Sequence, residues 1–138
     1  VTYPRLLPDV DALVTDLLRQ ALPAAVSIRT ELQSDMLQHL PYVLVESSTS
    51  DDHPRFGASA LVEVNCWTGD SRSGCAALAE GVRVALYLAH RAQTVRPAGH
   101  LSTYSLPAPG IRRIPSGATG VWRYAATYQL GIRPPAAP

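Results

Sequence analysis

The chain of 138 residues contains no lysine, and no aspartate or glutamate follows Glu80. It has one methionine, one phenylalanine and two cysteines. No apolar run approaches the roughly 18–20 residues that a bilayer-crossing helix requires, so no membrane partner is expected. The opening residues VTYPRLLPDVDA lack the long apolar core and small-residue cleavage site of a secretory signal. Folding in the cytoplasm where the chain is made is the expectation. There is no CxxC, no Cys/His spacing for zinc, no HExxH, no Walker phosphate loop and no GxGxxG, so neither a metal nor another cofactor is expected. Cys66 and Cys75 are near enough in sequence for a disulfide to be conceivable, but buried, reduced thiols fit a cytoplasmic chain better.

What is present fits one compact domain: 46% hydrophobic and 17% charged residues can bury a real core. All twelve cationic side chains are arginine. Their distribution is uneven, with five arginines against eleven carboxylates up to residue 80 and seven arginines against none after it. Such asymmetry fits nucleic-acid binding, or self-association of an acidic surface with a basic one, or a fold that interleaves the two halves. Arginine's planar fork suits paired contacts across protein interfaces.

In VDALVTDLLRQAL the residues Val10, Leu13, Val14, Leu17, Leu18, Ala21 and Leu22 follow i, i+3, i+4 spacing. They predict an amphipathic helix capped by Asp9 and ended by Pro23. AVSIRTEL alternates, placing Val26, Ile28, Thr30 and Leu32 on one side of a strand. Residues 33–40 are irregular, and YVLVESS is a second strand with Val43 and Val45 opposite Tyr42, Leu44 and Glu46. A polar loop follows. ASALVEVNCW is the central strand, its Ala60, Val62, Val64 and Cys66 set facing the helices. The next helix carries Cys75, Leu78, Ala79, Val82, Ala85, Leu86 and Ala89 as its apolar stripe, with Gly81 inside it. After a strand or hairpin arm around residues 93–106, the Pro/Gly-rich run PAPGIRRIPSGATG is a long loop of the kind that is usually functional. VWRYAATYQLGIR is the longest strand, with Trp122, Tyr124, Ala126, Tyr128, Leu130 and Ile132 on one face, and its length predicts that it protrudes past the sheet. Residues 134–138 are a proline-rich tail. The order α-β-β-β-α-β-β predicts an α+β fold: a largely antiparallel sheet of four to five strands with both helices on one face.

Gly69-Asp70-Ser71, between a strand and a helix, has the shape of a turn that presents a nucleophilic serine. A working serine needs a base and an orienting acid; His90 and His100 lie downstream, but no carboxylate follows Glu80. The turn therefore reads as a helix cap formed by Asp70 or Ser71, and no enzymatic activity is expected. The candidate contacts for partners or self-association are Asp51, Asp52 and Arg55 in the polar loop, Arg112 and Arg113 in the long loop, and Trp122, Arg123 and Arg133 of the last strand. Asp51-Asp52-His53 reads as solvated loop rather than a cation site.

With its elements in order, the chain resembles the tail terminator, or tail-completion, proteins of long-tailed bacteriophages across nearly its whole length. The residues carrying the likeness are the opening Pro-Asp-Val and helix, LPYVLVE, VEVNCW-T-GDSRSGCAALAEGVRVAL and the closing VWRYAATYQLGIRP. The resemblance implies a non-enzymatic virion protein forming a hexameric ring at the head-proximal end of the tail. Such a ring ends tail-tube polymerisation and meets the tail tube protein on one side and the head–neck connector on the other. DNA passes through it without specific binding.

Overall fold

The computed structural model describes residues 9–50 and 58–134. Helix α1 is Val10–Ala21, α2 is Arg72–Arg91, and the strands are β1 (Ser27–Arg29), β2 (Tyr42–Ser50), β3 (Ala58–Thr68), β4 (His100–Ser105), β5 (Arg112–Ile114) and β6 (Trp122–Arg133). A single 3-10 turn, Met36–Gln38, lies between β1 and β2. Each α-helix starts where a side chain satisfies an orphan N–H. The Asp9 carboxylate accepts from Ala12 N at 3.1 Å, and Ser71 Oγ accepts from Gly74 N at 2.9 Å. Leu22 closes α1 by donating to Leu18 O, just ahead of Pro23.

The sheet is mixed and six-stranded, in the order β1-β2-β3-β6-β4, with β5 also on β6. The β1–β2 pair is parallel and the other pairs are antiparallel. The class is α+β as expected, and the elements follow the expected chain order with one more strand, β5, than the sequence reading. Residues paired across strands share a face, so the register defines rows: Val43–Cys66–Tyr124, Val45–Val64–Ala126, Ser47–Val62–Tyr128 and Thr49–Ala60–Leu130. Ile132 and Leu101 extend the same face. These rows join Leu13, Val14, Leu17 and Leu18 of α1 and Cys75, Ala79, Val82 and Leu86 of α2 in one core. Both helices thus cover this face, and a Cβ on Gly81 would touch Leu22 at 3.4 Å where they meet.

The opposite face carries a second, smaller cluster that the sequence reading did not anticipate. Tyr42, Leu44 and Trp67 are buried there under Met36, Leu40 and Val121, and Tyr42 Oη donates to Glu31 O at 2.6 Å. The segment before β2 is therefore a cover, not a bare connection. Other expectations are corrected by the packing. Ala21, at the end of α1, is exposed, and so are Thr30 and Leu32, because β1 stops at Arg29 before reaching them. The last strand does not protrude: β6 pairs with β3 from Trp122 to Ile132. Its other edge is shared end to end by β5 and β4. Gly99, at φ 130°, packs so closely on the Arg133 carbonyl that a Cβ would collide with it, which fixes the 96–99 turn against the end of β6.

Candidate assembly surface

Strand β6 sets the geometry of the candidate contacts. Trp122 and Arg123 lie at its start and Arg133 at its end, about 33 Å apart at ~3.3 Å per residue. At the start, β5 brings Arg112 beside Ala125 and Arg113 beside Tyr124. The two arginines are strand residues, not a loop tip, and alternation sends them to opposite faces. Only three residues of the Pro/Gly run pair, too few to show as a period in the sequence. Arg113, Trp122 and Arg123 line a concavity of about 340 Å³ with Ile114, Pro115, Ser116 and Val121. Ser116 Oγ closes this loop through Val121 O at 2.6 Å and Ala118 N at 3.2 Å.

The candidates differ in how far they are already engaged. Arg123 donates to Asn65 Oδ1 at 3.0 and 2.8 Å, and its guanidinium lies 5.1 Å from the centroid of the Trp67 ring. Asn65 in turn donates to Glu63 Oε1 at 3.0 Å. That chain of contacts holds Arg123 flat on the helix-free face, where stacking and hydrogen bonding both favour the guanidinium. Trp122 packs partly into the main core, and its carbonyl accepts from Cys75 Sγ at 3.4 Å. Arg112, Arg113 and Arg133 are exposed and have no carboxylate partner among the described residues. Asp51, Asp52 and Arg55 lie outside the described residues. The flanking Ser59 and Ala58 pair with Gly131 and Ile132, which puts the ends of that loop at the Arg133 end of the sheet.

Among the described residues, two arginines of the basic half pair with carboxylates of the acidic half, one across the fold and one along α2. Arg96 grips Asp16 through Nε–Oδ2 at 2.7 Å and Nη2–Oδ1 at 3.0 Å, and this hydrogen-bonded pairing holds the Asp16 carboxyl below its usual range. Arg83 is bonded to Glu80 along α2, with Nε at 2.9 Å from each carboxylate oxygen.

The Gly69-Asp70-Ser71 turn is a helix start. Ser71 Oγ serves Gly74 N and sits 3.3 Å from Ser73 Oγ, and Asp70 Oδ1 accepts from Ser71 N at 2.6 Å. The described histidines are engaged elsewhere or lie on other elements: His39 meets Asp35 at 3.1 Å, His90 stacks on Tyr104, and His100 is on β4. A Cβ at Gly74 would collide with the Asp70 carboxylate, so that carboxylate lies against the positive end of α2. Cys66 and Cys75 are free and buried, with Cys75 Sγ donating to Cys66 O at 3.3 Å; burial pushes both thiols up.

Residues 6–138 match the family described as phage tail termination protein. The chain belongs to that family. Membership gives it a structural role in the phage tail and a place in the virion. The fold of this tail termination protein is also found in a chain of the structure titled "Virion of native gene transfer agent (GTA) particle". That chain is 19% identical, with a TM-score of 0.53 over 90% of this chain and 87% of the other. No curated protein matches. Sequence reasoning named the charged candidates but missed apolar ones: Val84, Tyr87 and Leu88 stand exposed on α2, and Leu32 and Leu37 between β1 and β2. The signal was available in α2, where Val84 and Leu88 fall at i, i+4 opposite the core stripe.

Proposed function

We propose that the whole chain acts as one assembly unit, forming a hexameric ring at the head-proximal end of the tail. The ring stops polymerisation of the tail tube and joins it to the head–neck connector, while DNA passes through without sequence-specific contact. The observation that carries this reading is the family match over residues 6–138. The geometry supports a division of labour along β6. Arg112 and Arg113, with the concavity beside Trp122 and Arg123, form one charged end. Arg133, at the far end of β6, forms the other; Asp51, Asp52 and Arg55 are kept as candidate contacts on the sequence alone. A ring that joins two different partners needs two such separated surfaces, one for the tube and one for the connector.

The test is binding of purified protein to tail tube ends and to connector. The Arg112→Ala/Arg113→Ala double variant is expected to lose one of these partners and keep the other, and Arg133→Ala to weaken the opposite one. Binding of both partners unchanged in all variants would sink the assignment of the two ends.

A further inference from the structure

Seven large apolar side chains stand exposed among the described residues, and all but Leu61 belong to two segments, α2 with the residues just past it and the stretch between β1 and β2. Val84, Tyr87 and Leu88 lie on α2, with Val95 just past its end. The residues that α2 buries against the sheet are Cys75, Ala79, Val82 and Leu86. At ~100° per residue, Val84 and Leu88 are on the far side of the helix. Leu32 and Leu37, 60% and 53% exposed, belong to the segment that packs Met36 and Leu40 on the helix-free face of the sheet. The two patches are therefore on opposite sides of the two-layer fold.

Their flanking charges are opposite as well. Glu31 and Asp35, both exposed, border Leu32 and Leu37. Exposed Arg91 borders Leu88 and donates to Tyr87 Oη at 3.1 Å, next to His90 in the last turn of α2. Scattered exposed leucines are ordinary on a monomer. The outer face of α2 also carries the internally paired Glu80 and Arg83 near Val84, and Asp35 meets His39. That leaves Arg91 and Glu31 as the charges free to pair between two apolar patches on opposite sides, as a head-to-tail contact requires.

We propose that the partner of each patch is the other patch on a second copy of this chain. The outer face of α2 and Val95 receive the Leu32–Leu37 segment of the next subunit, with Glu31 of that subunit facing Arg91. This rests on the ring reading and assigns its subunit contact; the charged ends of β6 are left for the tube and connector.

Two substitutions at exposed positions, Leu37→Asp and Leu88→Asp, test it by light-scattering mass, with circular dichroism to verify folding. Each variant alone is expected to be a monomer at concentrations where the unmodified chain assembles. Mixed, they should pair one to one at about twice the 14.8 kDa of a single chain, because each retains the patch that the other lacks. Leu61→Asp, outside both patches, should assemble like the unmodified chain. Variants that assemble normally, or a mixture that stays monomeric, overturn the contact while leaving the ring itself standing. A Leu61→Asp chain that fails to assemble like the other two also overturns it. An unmodified chain that stays monomeric even with tail tube protein overturns the ring, and the contact with it.

Discussion

Replacing Tyr128 by phenylalanine should stabilise this protein. Tyr128 is fully enclosed under α2, its ring 5.9 Å from that of Tyr104, and its hydroxyl has no hydrogen-bond partner among the described residues. An enclosed hydroxyl without a partner costs about 1–3 kcal/mol of lost hydration. Removing the oxygen keeps the ring contacts and forfeits only the dispersion of one atom, a few tenths of a kcal/mol. The net gain is about 1 kcal/mol, or roughly 3–5 °C in Tm for a chain of this size. Burial, reinforced by Tyr104 and Cys66, also holds the Tyr128 phenol well above the ordinary tyrosine range. With the folded pKa raised, this contribution is fully present below the unfolded value of about 10 and is lost as pH rises beyond it. Phenylalanine has no such loss, so its advantage should widen in alkali. Urea unfolding at pH 7 and at pH 10.5 measures both effects. A phenylalanine variant destabilised by ~1 kcal/mol at pH 7 would refute the reasoning, since it would mean the hydroxyl has a partner.

Three further outcomes are expected. Leu86→Ala, at a site with no exposed surface in the main core, should cost about 2–5 kcal/mol in urea unfolding with an unchanged m-value. Ser71→Ala removes the cap on Gly74 N and should cost about 1 kcal/mol by the same assay, with hydrolysis of model esters no different from the unmodified chain. Cys66 and Cys75, buried and with thiols held protonated, should resist a thiol reagent in the native protein and both react in denaturant.

The parts of this fold that were legible in the sequence have long, one-sided periods. The stripe of α2 and the helix-facing sets of β3 and β6, Ala60, Val62, Val64 and Cys66 with Tyr124, Ala126, Tyr128, Leu130 and Ile132, are all in one core, so there pattern and packing agree. The parts that were not legible are short or two-sided. β5 has only three paired residues between prolines and glycines, and its pairing depends wholly on β6. Tyr42 and Leu44 alternate correctly with Val43 and Val45, yet both sets are buried. Alternation assigns residues to faces but does not say that a loop will cover the second one. For the candidate site, the sequence singled out Arg112 and Arg113 as a pair, whereas strand geometry divides them between faces. It could not show that Arg123 is engaged by Asn65 and Trp67, because that contact spans 58 residues. The apolar surface of α2 was hidden by the stronger stripe on its other side.

The proposed ring ends tube growth by capping the tail tube. Electron microscopy of tail tubes polymerised from purified tube protein, with and without this chain, tests it most directly. The prediction is that added protein forms rings bound at one end of each tube, and that tube lengths stop increasing once the ends are occupied. Tubes that grow to the same length in its presence, with no rings at their ends, would contradict it.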